Sequence, residues 1–165
     1  MFEVLDTVCQ PTRATKYSAM VDLYARENVV IGAGETKIVP LGVKIDKGSI
    51  KDSLEDWEHI GGFMESHYLE LHPRSSLRAK GLIIGVGVVD LDYNLEIGLI
   101  VHNPLITGQI HTGYGDKKLG IDIYKFFEIN KGDKVAQCTL KEHKGYLLGI
   151  ESDAERSGGF GSTGV

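Results

Sequence analysis

Long hydrophobic runs are missing from this sequence. Its longest apolar stretch, residues 81–89, is too short to cross a bilayer as a helix, so no membrane partner is expected. Basic residues are missing from the first ten positions, MFEVLDTVCQ, which carry acids where a signal peptide would carry Lys or Arg. Cysteine is scarce: Cys9 and Cys138 lie far apart in no CxxC arrangement. That argues against a disulfide framework and for a reducing, cytoplasmic setting. Positive charge is also in deficit, with 18 Lys and Arg against 23 Asp and Glu, a net charge of −5. No broad basic face follows from that balance, so a direct nucleic-acid partner is not expected. A compact pocket for one phosphorylated small molecule needs only a few Arg and Ser. The six histidines form no HxxxH or HExxH pair, no Cys/His set has zinc spacing, and GxSxG is absent. Zinc chemistry and covalent catalysis therefore have no candidate residues.

What is present is a succession of short strand-like segments. The 165 residues suit one domain with a single core. Strands are expected over residues 2–8, 21–25, 28–31, 36–45, 67–72, 82–89, 96–102, 134–140 and 145–150, separated by turn signals. Such spacing favours a barrel or sandwich over a βαβ architecture, and 21 glycines supply its tight turns. Residues 75–80 offer one short helical turn. Residues 50–60 place Ile50, Leu54 and Trp57 on one face of an extra surface helix, with Gly61-Gly62 as its stop. Residues 104–125 lack periodicity and read as a long surface loop or irregular hairpin. Only Phe160 is large and apolar in the glycine-rich end, residues 155–165.

Three segments carry chemistry. In GVGVVDLDY, residues 85–93, Asp90 follows Val88-Val89 where a buried strand would continue with an apolar residue. A carboxylate there is a turn residue or a working group that accepts a proton from water held against it. Gly85 and Gly87 mark a bend or a close backbone approach to a ligand. In HPRSSLRAKG, Ser75 and Ser76 either cap the short helix or join Arg74 as donors to an anion. In GGFGSTG, glycines let the backbone fold over a ligand, Phe160 can stack on a base, and Ser162 and Thr163 can donate to phosphate oxygens. Two weaker signals are Asp22 in the apolar strand SAMVDLYA and Gln137 in KGDKVAQCTL.

The order SAMVDLYA, PRSSL, GVGVVDLDY, KGDKVAQ, GGFGSTG resembles the five-motif series of the trimeric dUTPase family, from about residue 19 to the end. The resemblance implies an all-β, jelly-roll-like barrel protomer of the β-clip type over residues 1–154, with residues 155–165 as a tail closing the site. It implies a homotrimer with interfacial active sites, and Mg²⁺-dependent cleavage of dUTP to dUMP and pyrophosphate. Asp90 resembles the general base that orients water for attack on the α-phosphorus, and Tyr93 the residue packing on the deoxyribose. The main chain around Gly85, Gly87 and Val89 resembles the uracil-reading hairpin. Arg74, Ser75, Ser76 and Gln137 resemble the phosphate contacts, and Asp22 the carboxylate that reaches the metal through water. Arg156, Phe160, Ser162 and Thr163 resemble the closing tail.

The sequence departs from that pattern in places. Asn94-Leu95 follows Tyr93 where the family usually has Arg-Gly, and Arg156 stands one residue nearer the Phe than the usual tail Arg. Residues 50–60 and 104–125 exceed the common length. They are surface insertions, or, for 104–125, a contact to a protein partner or neighbouring subunit. A dCTP deaminase shares Ser-Ser-Leu but needs a Glu three residues before a strand-ending Asn; reading back from Asn103, that place holds Ile100. The alternative of another class is a dUTPase-like regulatory binding protein with weak catalysis.

Overall fold

Strands in this chain are short because glycine, proline and polar pairs interrupt them. The computed structural model describes residues 1–52, 60–105, 108–114, 117–123, 126–150 and 158–159. Its first strands are β1 (Phe2–Val4), β2 (Val21–Tyr24), β3 (Val29–Ile31), β4 (Thr36–Pro40) and β5 (Val43–Ile45). Helices α1 (Lys47–Asp52) and α2 (Ile60–Ser66) follow, then β6 (His67–Pro73) and the short helix α3 (Ser75–Ala79). The remaining strands are β7 (Gly87–Asp90), β8 (Gly98–His102), β9 (Gly108–Tyr114), β10 (Lys117–Ile123), β11 (Phe127–Ile129) and β12 (Lys134–Glu142).

The largest sheet runs β2-β12-β6-β7, antiparallel throughout. The alternation in HYLELHP gives β6 two faces: Leu69, Leu71 and Pro73 are buried, while Tyr68, Glu70 and His72 look the other way. Register carries this division across the sheet, because paired residues share a face. Leu23, Ala136 and Cys138 continue the apolar side; Asp22, Gln137, Thr139, Lys141 and Asp90 continue the polar one. Smaller pairings, β4 with β8, β1 with β5 and β3 with β11, close over the apolar side. The resulting core includes Leu23, Ile31, Leu41, Leu69, Leu91, Ile97, Leu99 and Val135. The all-β, jelly-roll-like expectation holds. Among the described residues the pairings form open sheets, not a closed barrel.

Several local expectations change. The strand expected over 36–45 is two strands, because Gly42 takes a left-handed φ of 63° between them and its carbonyl accepts from Leu5 N at 2.8 Å. A Cβ at Gly42 would stand 2.5 Å from Cys9 Sγ, so the bend belongs to glycine. The strand expected over 145–150 is a 3-10 turn, Gly145–Leu148, ended by Gly149 at φ 66°. Leu147, Leu148 and Ile150 are exposed there, so their apolar character misled. The expected helix 50–60 is divided between α1 and α2, with 53–59 outside the described residues. Gly61-Gly62 is no stop: both lie inside α2, where the Gly62 carbonyl accepts from Ser66 Oγ at 2.5 Å. Of the two readings of 104–125, loop or irregular hairpin, the hairpin holds, with strands at 108–114 and 117–123. They form a regular antiparallel hairpin, from Gly108↔Ile123 to Tyr114↔Lys117.

Candidate functional site

Two strand edges face one another across a gap. β7 is the edge strand of its sheet, and β8 is paired with β4; a bridge between Ile83 and His102 ties the two segments at one end. Between them lies a cavity of about 620 Å³, lined by residues 85–90 on one wall and 97–100 on the other. Side chains alternate along a strand, so walls made of consecutive residues present strand edges and their N–H and C=O groups. Gly85, Gly87, Val89, Asp90 and Tyr93 are thus brought together as the sequence suggested.

Asp90 is the exposed last residue of β7, and Tyr93 N donates to its carbonyl at 3.0 Å, which closes the turn. Tyr93 is buried, 7% exposed, and its hydroxyl donates to Glu96 O at 3.4 Å. Asn94 and Leu95 are exposed, but the exit from this turn is anchored. Glu96 accepts from Gly42 N at 2.8 Å and pairs with Arg26 at 2.8 Å. Ile97 N donates to Val43 O at 2.9 Å. Gly159 also lines the cavity, and a Cβ there would come within 2.6 Å of Tyr93 Cε2. The second glycine of the tail therefore lies directly against the Tyr93 ring.

The other sequence-predicted residues gather elsewhere on the polar face. Asp22 is 2% exposed and receives Arg74 Nη1 at 2.6 Å, Lys134 Nζ at 3.1 Å and Gln137 Nε2 at 3.1 Å. Burial pushes this carboxyl up, but the bonds from Gln137 and Lys134 and the Arg74 charge outweigh it and hold the group below the usual carboxylate range. Lys134 is held above its ordinary value by the same bond. Both Asp22 oxygens are engaged by these donors, Oδ1 by Arg74 and Gln137 and Oδ2 by Lys134. Ser75 and Ser76 follow Arg74, exposed, at the start of α3, whose N-cap residue Arg74 makes no side-chain capping bond. No group of three or more His, Cys, Asp or Glu suited to a metal occurs among the described residues.

The fold keeps these two groups apart. Asp90 pairs with Tyr68 and Gln137 with His72, so they stand four β6 residues apart, roughly 13 Å along the strand. Arg156, Phe160, Ser162 and Thr163 lie outside the described residues. Sequence reasoning missed Lys134, which reaches Asp22 only through the β2–β12 pairing and its irregular step between Lys134 and Ala136. It also missed His102, which lines the cavity beside Ile100 and Gly98. Their period-2 spacing on β8 was the available signal.

Together, the sheets and the interstrand gap define a jelly-roll-like protomer with a small-molecule cleft. No family model matches the chain. It is 32% identical over 160 residues to the deoxyuridine 5'-triphosphate nucleotidohydrolase of Candida glabrata, covering 93% of this chain and 88% of the relative. It is 31% identical over 164 residues to that of Rickettsia felis, covering 94% and 88%. The fold matches the dUTPase from phage phi11 of S. aureus with a TM-score of 0.61 at 21% identity, over 98% of this chain and 97% of that one. The chain belongs to the deoxyuridine 5'-triphosphate nucleotidohydrolase (dUTPase) family.

Proposed function

We propose that this chain hydrolyses dUTP to dUMP and pyrophosphate, with the base held in the gap between β7 and β8. The observation that carries this reading is the pair of facing strand edges along the cavity. A uracil edge inserted there meets backbone donors and acceptors as a neighbouring strand would. Cytosine presents a donor where uracil presents an acceptor, and leaving buried polar groups unpaired gives strong discrimination, about 10⁴-fold or more. Tyr93, fixed under the turn, packs on the sugar and leaves no space for a 2′-hydroxyl. Asp90, at the same end of the gap, takes a proton from the water that attacks the α-phosphorus.

Arg74, Ser75, Ser76 and Gln137 are the phosphate donors in this reading, with Asp22 locking Arg74 and Gln137 in place. Their separation from Asp90 on one chain supports a homotrimer in which a second copy brings these donors to the cleft. Mg²⁺ prefers phosphate and water oxygens, and Asp22 is the residue that would hold it through water. When bound, the ion supplies charge stabilisation to the departing pyrophosphate. The tail completes the enclosure: Gly159 seats on Tyr93, Phe160 covers the base, and Arg156, Ser162 and Thr163 reach phosphate oxygens. The β9–β10 hairpin contacts a protein partner or a neighbouring subunit, and its deletion changes assembly or partner binding.

Pyrophosphate release from dUTP, dCTP, dTTP and UTP tests the reading. The intact chain is expected to act on dUTP far faster than on the other three, and Asp90→Asn to lose about 10³-fold in kcat. No release from dUTP by the intact chain would end the enzymatic reading. Full rate in Asp90→Asn would end the role given to Asp90 alone.

A further inference from the structure

The turn that carries Tyr93 leaves through Glu96, and Glu96 is held on three sides. Its Oε1 accepts from Gly42 N and its Oε2 pairs with Arg26 Nη2, both at 2.8 Å. Its carbonyl accepts from the Tyr93 hydroxyl at 3.4 Å. What it grips is the bend between β4 and β5. Leu41 N donates to Ile97 O and Ile97 N to Val43 O, both at 2.9 Å, so main-chain bonds flank the Gly42 contact. Gly42 is buried in a left-handed conformation, φ 63°. Ile97 takes the main-chain bonds of its two neighbours, and the Glu96 carboxylate takes the Gly42 N–H between them, as a strand carbonyl would. Arg26 backs the carboxylate from the end of β2, where its own N donates to Pro40 O at 2.9 Å. Its Nε is buried with no hydrogen-bond partner among the described residues, so the pair is held at some cost.

Arg26 is 39% exposed, and an ion pair so open to solvent adds little to stability, so its use lies in what it holds still. Tyr93 is tethered at both ends. Its N donates to Asp90 O, and its hydroxyl, at the far edge of the ring, donates to Glu96 O. The first bond belongs to the turn itself; the second depends on where the Glu96 main chain stands. We infer that Glu96, backed by Arg26, is a positioning residue for Tyr93 and through it sets the choice of deoxyribose over ribose. The carboxylate pins the Glu96 main chain to Gly42, the pinned carbonyl fixes the Tyr93 hydroxyl, and the fixed ring closes the space beside the sugar. Without the pin the ring can recede and admit a 2′-hydroxyl. Glu96 touches no part of the nucleotide in this account, so its effect falls on the sugar choice rather than on the base or the attacking water. The inference rests on the proposed dUTP activity and on the packing of Tyr93 against the sugar.

The test uses the full chain with steady-state pyrophosphate release from dUTP and UTP, beside melting temperatures. Glu96→Ala is expected to lower the dUTP over UTP preference in kcat/KM about tenfold, as for a misplaced contact, chiefly by raising kcat/KM for UTP. Glu96→Gln keeps an acceptor for Gly42 N but not the charge that Arg26 pairs. It should therefore match Arg26→Met, and both should lose less preference than Glu96→Ala. Tyr93→Phe removes the tethered hydroxyl, so adding Glu96→Ala to it should change the preference less than about twofold further, because the two changes break one chain of contacts. If Glu96→Ala folds and keeps the wild-type preference, or if its effect multiplies in full with that of Tyr93→Phe, the inference fails while the dUTPase reading stands. If Glu96→Ala does not fold, Glu96→Gln and Arg26→Met decide: unchanged preference in both overturns the inference. If the intact chain uses dUTP and UTP alike, the sugar role of Tyr93 and the inference fall together and dUTP hydrolysis stands. If it does not act on dUTP, all three fail.

Discussion

The cleft between β7 and β8 and the cluster around Asp22 are built in opposite ways. The cleft is walled by strand edges and apolar side chains, so what it offers is backbone groups whose positions depend on pairing elsewhere. The Asp22 cluster is made of charged side chains in direct contact, with Arg74, Lys134 and Gln137 converging on one buried carboxylate. Replacing a side chain breaks the second outright but leaves the backbone edges of the first in place. That difference also explains why the two sites read so differently in sequence. Carboxylates and arginines announce themselves as residue types, whereas a backbone edge is announced only by the glycines that permit it.

Three changes sharpen this contrast, taken from the largest effect to the smallest. Asp22→Asn removes the negative charge from between Arg74 and Lys134 and leaves two cations without their partner. A loss of about 10²-fold in kcat/KM is expected, as for a broken buried ion pair, with the dUTP over dCTP preference unchanged. A changed base preference would mean that the two regions are not independent. Gly159→Ala drives a methyl into the Tyr93 ring, from which its Cβ would stand 2.6 Å. Displacing the tail should lower kcat/KM about tenfold without a change in melting temperature, and unaltered kinetics would remove Gly159 from the closed site.

The smallest effect is one of pH. The Asp22 carboxyl is held below the usual range, so its contribution to stability is complete above the unfolded carboxyl's titration, near pH 4. It is lost as pH falls through the lower folded value. Melting temperatures followed from pH 5 downward should fall more steeply for the wild type than for Asp22→Asn. Parallel curves would show that the cluster does not stabilise the fold.

Much of the cleft was legible because Asp90 breaks an apolar run and Gly85 and Gly87 precede it. Asp22, Arg74 and Gln137 were legible as motif members, but Lys134 was not, since only the irregular β2–β12 register brings it to Asp22. The polar ladder Tyr68, Glu70, His72 was written in the alternation of HYLELHP; its contacts, Tyr68 hydroxyl to Glu70 at 3.0 Å and His72 Nε2 to Glu70 at 2.6 Å, were not. Errors came where local pattern competes with tertiary context. Leu147, Leu148 and Ile150 look like a buried strand yet lie exposed, and Gly61-Gly62 looks like a helix stop yet lies inside α2. The regularity of the β9–β10 pairing was hidden because its two strands stabilise each other through register, which a single-strand pattern does not display.

The central claim is that Asp90 and the phosphate donors serving one dUTP come from different chains. Two variants, each defective in one half, test it when assembled together: Asp90→Asn and Arg74→Ala. Each alone should be nearly inactive. In mixed oligomers formed from equal amounts, some sites join the intact Asp90 of one chain to the intact Arg74 of another, and about a quarter of wild-type pyrophosphate release should return. If the mixed oligomers, verified to contain both chains, stay as inactive as the separate variants, each site is built within one chain and the account is wrong.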